Sequence, residues 1–465
     1  MASNDPEVKI IEISRVCPFI NSPQSPTFFS IPLTFFDALW LKFPPVESLF
    51  FYQLTDSTRL NFNSEILPKL KHSLSLTLLH YHPLAGKLTW HPHADVPIIS
   101  YSPNDAVSLL VAESNLDFNR LSGDDIRESP ESRHLIPELL SSDESASTMA
   151  LQITLFPNQG FCIGMSMHHA VVDGVAAIAF KKAWAYLCRQ LGNQHPSLLP
   201  ELTPFSDRTV VKDPTGLCKK CLKNWLDFKV SDDSELNQRS LKILEDLVVI
   251  QNSVRATFKL SGEDIKKLKE KILFKLQQKK PTKHFHLSTF VVTYAYILVC
   301  LVKSKSVEGN KKFSLLFLVD YRNRLVPPLP ANYFGNCVLT RFATLEASIF
   351  MDEDGVAIIS EKISNMIREI DEKGIHEAVE ENLESWGNME GEEIFSIAGS
   401  NRTKFYEIDY GWGKPKKIEI ISIDRTGAIS MTESGDGNGV EIGTVLSRNE
   451  MEIFKSVFVS GLQDA

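Results

Sequence analysis

Met167-His168-His169-Ala170-Val171-Val172-Asp173-Gly174, read MHHAVVDG, lies between a strand-like and a helix-like stretch. Upstream, Ala150 to Phe156 is an apolar run that reads as a strand. Pro157-Asn158-Gln159-Gly160 is turn chemistry, and Phe161 to His169 reads as the return strand of a hairpin. Downstream, Gly174 to Gln190 is an alanine-rich helix for which Asp173 is a natural N-cap. Side-chain parity along the return strand groups Phe161, Ile163, Met165 and Met167 on one face, with His169 continuing it. His168 falls on the other face with Cys162, Gly164 and Ser166. The parity therefore predicts that His169 points to the buried side and His168 away from it.

A histidine four residues before an aspartate offers a base that works at neutral pH with a carboxylate nearby. Asp173 has two possible roles. It can orient His169 directly, as in a triad, or turn away, cap the helix and pair with an arginine; its N-cap position favours the second. A metal site built from His168, His169 and Asp173 is disfavoured because adjacent strand residues point to opposite faces. A nucleophilic serine lacks its GxSxG elbow. A cysteine nucleophile is open by spacing, although nothing singles one out.

Working outward, 465 residues favour two domains. Hydrophobic content of 43% and charged content of 23% are those of a globular protein. A net charge of -9 argues against nucleic acid or an anionic membrane as the main partner. The seven cysteines, Cys17, Cys162, Cys188, Cys218, Cys221, Cys300 and Cys337, are scattered. Cys218 and Cys221 form a lone CxxC with no second pair, which points to reduced thiols rather than zinc. The start, MASNDPEVKI, has no signal-peptide pattern. The longest apolar stretch, Phe290 to Val302, is too short to span a bilayer. A cytosolic monomer without bound metal is the expectation.

Elsewhere, strands are expected at Val8–Val16, Leu49–Leu54, Phe313–Val319, Lys404–Tyr410, Lys417–Ile423, Ala428–Ser434 and Gly439–Leu446. Helices are expected at Ser64–His80, after a Ser261–Asp264 capping box, near Ser288, over Ser360–Lys373 and after Ser447. The segment HPLAGKLTW leads from the first of these helices into a further strand. Residues 119–147 read as surface loop with short helical pieces. Proline-rich 192–220 is the candidate linker between domains 1–191 and 221–465. The class is α/β with mixed sheets.

HHAVVDG together with Asp409-Tyr410-Gly411-Trp412-Gly413-Lys414-Pro415 resembles the plant BAHD acyltransferase family, marked by HxxxD and DFGWG. Tyr410 stands where phenylalanine is usual. Asn332-Tyr333-Phe334-Gly335-Asn336-Cys337 resembles the YFGNC element of the clade acting on anthocyanins, flavonoid glucosides and other phenolic glucosides. TFFDALWL, HYHPLAGKL, SDRTVVKDPTGL and GVEIGTVL are similar to that clade too, so the resemblance covers nearly the whole chain. It implies two chloramphenicol-acetyltransferase-like domains with a channel between them. Coenzyme A thioester, a co-substrate and not a resident cofactor, enters from one side and the acceptor from the other. His169 is then the base that deprotonates an acceptor hydroxyl for direct attack on the thioester carbonyl. Asp173 is implied to pair with Arg322 of Asp320-Tyr321-Arg322-Asn323-Arg324, where Asp320 replaces the usual asparagine. Asp409, Gly411, Trp412 and Gly413 are implied to be architecture.

The clade implies a sugar hydroxyl of a phenolic glucoside as acceptor, and malonyl or hydroxycinnamoyl as donor. Some malonyl-using relatives carry an arginine early in the helix after the motif. Here Gly174 to Ala179 has none and the first cations are Lys181 and Lys182, which counts against malonyl unless a cation from the other domain serves. For the coenzyme's phosphates, the lysine-rich segment 259–283, including Lys266, and the helix start at Ser288 and Thr289 are candidates beside a solvated-face reading. Rival readings are a carrier-dependent HHxxxDG enzyme, which would need a lipoyl or carrier domain not evident here, and a non-catalytic protein retaining the fold.

Overall fold

The computed structural model describes residues 8–19, 27–192, 197–227, 239–248, 250–282, 285, 287–372, 374–388 and 392–463. Residues 1–7, on which the signal-peptide reading partly rests, lie outside them. So do 193–196 of the candidate linker, Lys283 of the lysine-rich segment and Lys373 at the end of one expected helix.

The hairpin around the motif forms as its sequence suggests. Met149–Phe156 and Gly160–Met167 pair antiparallel, with Met149 opposite Met167. On its other side Gly160–Met167 pairs antiparallel with Val46–Gln53, putting Met167 opposite Val46. These strands are the middle of a six-stranded sheet whose order is Val8–Val16, Val107–Ser114, Met149–Phe156, Gly160–Met167, Val46–Gln53 and Lys417–Ile420. A second sheet has seven strands: Val338–Glu346, Lys312–Asp320, Glu393–Ser400, Ile429–Glu433, Gly439–Ser447, Ser253–Ser261 and Arg127–Glu128. Both contain parallel and antiparallel pairs. The class is α/β with mixed sheets.

The two sheets exchange a strand. Lys417–Ile420 joins the first sheet beside Val46–Gln53, and Arg127–Glu128 joins the second beside Ser253–Ser261. Where the exchanged strands pass, Glu419 lies buried between Arg127 and Arg255, and Arg255 also reaches Asp424 at 3.3 Å. Burial works against the Glu419 carboxylate, but Arg255 and Arg127 hold it below its ordinary range. One apolar cluster, running from Val16 to Phe458, fills the space behind both sheets.

Helix starts follow their capping chemistry. Asp173 caps Gly174–Gln190, Ser261 and Asp264 form a full capping box before Gly262–Lys279, and Ser288 caps Thr289–Ser304. Ser447 and Glu450 do the same before Arg448–Gln463. The expected strand Lys404–Tyr410 is instead a short 3-10 turn, Phe405–Glu407, entered through Lys404 at φ 54°. The turn buries Phe405, Tyr406, Ile408 and Tyr410. The helix expected over Ser360–Lys373 runs from Gly355 to Arg368 and tightens over Glu369–Glu372. The helix Ile375–Asn388 and the strands Val107–Ser114, Val338–Glu346 and Glu393–Ser400 are additional to the sequence reading. Among the described residues, no helix is long and apolar enough to cross a membrane.

Candidate active site

The motif strand ends at Met167, and the backbone reverses immediately. His168 N–H donates to the Thr148 carbonyl at 2.9 Å, and Val171 N–H donates back to the His168 carbonyl at 2.9 Å. The pleat that assigned His168 to the outer face stops one residue too early for that assignment. His168 is fully buried, whereas His169 is half-buried against a cavity. The parity argument also fails because the strand is covered on both faces, all eight residues being buried.

His168 has a structural position. Its Nδ1 accepts from Ala170 N–H at 3.2 Å, so the proton of the neutral ring sits on Nε2. Burial, with the neighbouring His169 adding to it, pushes this imidazole down to about 3. It stays neutral and braces the turn.

His169 is stacked on the Trp40 indole, with ring centroids 4.2 Å apart and planes 11° apart. Phe43 meets the same ring edge-on at 6.0 Å. Burial lowers the imidazole to about 4, opposed by its own carbonyl, Asp173 and the Asn336 side chain. The ring is therefore unprotonated at neutral pH and held flat by an aromatic wall. It borders an apolar cavity of about 630 Å³ whose walls include Trp40, Ala177, Ile178, Lys181, Leu318 and Phe405. That volume is ordinary for a small-molecule site.

Asp173 makes no hydrogen bond to His169. Its Oδ1 accepts from Ala176 N–H at 2.9 Å, and its Oδ2 accepts from Cys337 N–H at 3.1 Å. Arg322 Nη2 lies 2.9 Å from Oδ2 and 3.0 Å from Oδ1. The same nitrogen donates to the Gly335 carbonyl at 2.8 Å. Asp320 supports the arginine through its Oδ1, 3.2 Å from Nη1. The carboxylate thus fastens the motif loop to the segment bearing NYFGNC.

A second set of anchors was not given a role from sequence. Asn336 Nδ2 donates to the His169 carbonyl at 2.8 Å and to Asp37 Oδ1 at 3.0 Å. Asp37 pairs with Arg208 at 2.6 Å, and Arg208 donates to the Val171 carbonyl at 2.8 Å. All three side chains are buried. Three stretches already noted for their resemblance, TFFDALWL, SDRTVVKDPTGL and NYFGNC, thus converge on the motif loop. Trp40, from the first of them, is the ring under His169.

The comparisons bear on what this site does. The model of a family described as the transferase family matches residues 7–460. The chain is 42% identical to phenolic glucoside malonyltransferase 1 of Arabidopsis thaliana, covering 98% of each chain. It is 41% identical to malonyl-CoA:anthocyanidin 5-O-glucoside-6''-O-malonyltransferase of the same plant, covering 100% of each. It is also 41% identical to that plant's agmatine coumaroyltransferase, covering 97% of this chain and 98% of the relative. The chain belongs to the BAHD acyltransferases. Among solved structures, vinorine synthase superposes with a TM-score of 0.71 at 21% identity over 97% of this chain and 98% of that one. F. graminearum TRI101 in complex with coenzyme A and T-2 mycotoxin gives 0.64 at 13% identity, over 92% and 97%. Both share the fold. The protein is an acyl-CoA-dependent acyltransferase.

The remaining residues singled out from this BAHD sequence fall in two groups. Asp409 Oδ1 accepts from Gly411 N–H at 2.7 Å and from Gly413 N–H at 3.0 Å, closing a tight turn. Both glycines have positive φ, 108° and 95°, which side-chain-bearing residues rarely adopt. Trp412 packs edge-on against Phe161 at 5.8 Å, and Arg189 donates to the Asp409 carbonyl at 2.6 Å. None of these lines the cavity. Tyr410 is buried edge-on against Trp184 at 4.9 Å. Ser288 and Thr289 begin a helix whose other end, Leu301, reaches the cavity wall; twelve helical residues separate those ends by about 18 Å. Lys266 is exposed on Gly262–Lys279.

Proposed function

We propose that this enzyme transfers a malonyl or hydroxycinnamoyl group from its coenzyme A thioester to a sugar hydroxyl of a phenolic, flavonoid or anthocyanin glucoside. The observation that carries the mechanism is His169, a neutral imidazole held by Trp40 at the wall of the apolar cavity, with Asp173 turned away to Arg322. In this reading His169 accepts the proton of the acceptor hydroxyl as its oxygen attacks the thioester carbonyl. A tetrahedral oxyanion forms and collapses, and the coenzyme A thiolate leaves and takes up a proton. No acyl-enzyme is needed, and holding two substrates in line supplies ~7–11 kcal/mol of barrier reduction. Two of the relatives act on glucosides by name, which supports that acceptor class. The acidic cavity rim of Glu393 and Glu450, paired with Lys305 at 2.6 and 2.8 Å, and the agmatine-acylating relative motivate an amine acceptor as the second reading.

Asp173 and Arg322 are read as support for the loop, and Asp409, Gly411, Trp412 and Gly413 as support for the fold. Ser288, Thr289 and Lys266 are read as the approach for the coenzyme's phosphates. The chain divides in this reading into an N-terminal domain 1–191, a crossover 192–220 and a C-terminal domain 221–465, working as a cytosolic monomer without nucleic acid or membrane.

The test incubates purified protein with malonyl-, acetyl- and coumaroyl-CoA, with phenolic glucosides or agmatine as acceptor, and follows thiol release. Thiol release should require a glucoside. His169→Ala should lose ~10²–10⁴-fold in rate, the ordinary contribution of a general base. Unchanged turnover in that variant overturns the mechanism; turnover with agmatine alone replaces the acceptor.

A further inference from the structure

Among the described residues, one cation of the cavity wall has no ionic partner. Lys181 is 3% exposed and lines the cavity that His169 borders. Among the described residues its amine makes neither an ion pair nor a hydrogen bond; its recorded contact is the Phe50 ring, 5.4 Å from Nζ to centroid. Its neighbour Lys182, by contrast, faces Glu407 at 3.4 Å. Lys305, the other lysine of the cavity wall, is saturated by Glu393 and Glu450.

An isolated buried charge is costly, and fold stability gives no reason to keep one here. The placement does. Asp173, Gly174, Ala177, Ile178 and Lys181 all face the cavity, so they form one stripe of the helix that starts at the motif. Side chains on a helix lean toward its N-terminus, so the lysine stem lies over Ala177, whose methyl leaves the space open. Lys181 stands seven residues past Gly174, about 10 Å along the axis. From its recorded place over Phe50, a flexible four-carbon stem can turn along the helix toward His169.

We propose that Lys181 is the receptor for a carboxylate at the far end of the donor's acyl group, selecting dicarboxylic over neutral short-chain thioesters. This rests on the reading of His169 as the base that meets the thioester carbonyl. An acyl carboxylate two bonds beyond that carbonyl lies on the side of the stripe that Lys181 covers. The coenzyme's own phosphates are too bulky and hydrated for so buried an amine. The carboxylate gives the ammonium the anionic partner that the protein withholds. Burial pushes the amine down to about 7, so a bound anion also restores its full charge at neutral pH. The cation that a malonyl donor requires thus comes from the motif helix itself, two turns along, and needs no contribution from the other domain.

The experiment measures kcat/KM for malonyl-CoA and acetyl-CoA with one glucoside acceptor, in wild type, Lys181→Met and Lys181→Arg. Methionine keeps the stem and removes the charge. The malonyl-to-acetyl ratio should fall at least ~30-fold in Lys181→Met, the loss of one charge-assisted contact, and Lys181→Arg should retain a ratio above that of Lys181→Met. A wild type that prefers acetyl-CoA, or a ratio that Lys181→Met leaves in place, overturns the proposal. If wild type turns over no donor with any glucoside, the proposed function fails on its own. Calorimetric binding of the same two thioesters then still decides this point: tighter malonyl-CoA binding that disappears in Lys181→Met supports the receptor, and equal affinities refute it.

Discussion

Asp173→Asn separates the two roles open to the motif aspartate. Asparagine caps a helix as well as aspartate does, so the bond to Ala176 N–H survives, while the amide that replaces Oδ2 gives up both the charge and the bond from Cys337 N–H. What is lost is the buried pair with Arg322, both side chains being at most 4% exposed. The guanidinium keeps the Gly335 carbonyl and Asp320, but the Asp320 side chain is 44% exposed and compensates weakly. Breaking a buried pair by neutralising one member costs ~3–5 kcal/mol. For a cooperative unit of roughly 150–250 residues each kcal/mol moves the midpoint about 2–4 °C, so the expected drop is ~6–20 °C. Scanning calorimetry of purified wild type, Asp173→Asn, Arg322→Met and the double variant reads this directly. The two single losses should overlap, with the double variant recovering part of their sum. The rate should fall with the displaced loop, by ~10–100-fold, since small misplacements of a base are amplified. A variant with the wild-type midpoint and a rate down by more than ~10³-fold would refute the anchor and return Asp173 to orienting His169, the behaviour of a triad carboxylate.

Two further outcomes follow from buried charge. His168 is neutral in the fold and pushed down to about 3, while an unfolded histidine titrates near 6.5. Below pH 6.5 the unfolded chain therefore binds a proton that the folded one refuses, and stability falls as pH drops through that window. At pH 5 the loss attributable to His168 is about 2 kcal/mol. His168→Asn, whose oxygen can still accept from Ala170 N–H, should flatten the acid side of a midpoint-versus-pH curve by that amount; an unchanged slope contradicts the assignment. Glu419→Gln leaves Arg127 and Arg255 buried with a single remaining carboxylate, Asp424. It should lower the unfolding midpoint by an amount equivalent to ~3 kcal/mol, and a midpoint equal to wild type would show that charge does not hold the exchanged strands.

Features set by local chemistry were legible in the sequence. The hairpin at Pro157–Gly160, the caps at Asp173, Ser261 and Ser288, and the final helix all depend on residues within four positions of one another. The Asp173–Arg322 pair spans 149 residues and came from the family resemblance alone. Errors arose where a period was read without its context. The strand expected at Lys404–Tyr410 is a turn, and pleat parity was carried past Met167, where the strand stops. The exchange of strands was invisible because Arg127–Glu128 is two residues long, too short for any periodic signal. Asp37, Arg208 and Asn336 were visible as parts of motifs. Their convergence on the His169 loop was not, because their buried polar contacts join stretches 37 to 299 residues apart.

The low basicity of His169 bears on the proposed direct attack. An imidazole at about 4 is a weak base for an alcohol, and a weak base that is always available would be a poor catalyst. The proposed reaction, with His169 as its base, would supply what is missing. As the hydroxyl oxygen adds to the thioester, an oxyanion forms within reach of the ring that is gaining the proton. A unit charge ~5 Å away at an effective dielectric near 20 is worth about 3 kcal/mol, or roughly two to two and a half pKa units. In the proposed attack that returns His169 to the ordinary histidine range as the oxyanion forms. The apolar walls and the Trp40 stack that depress the resting ring thus strengthen its interaction with the transition state.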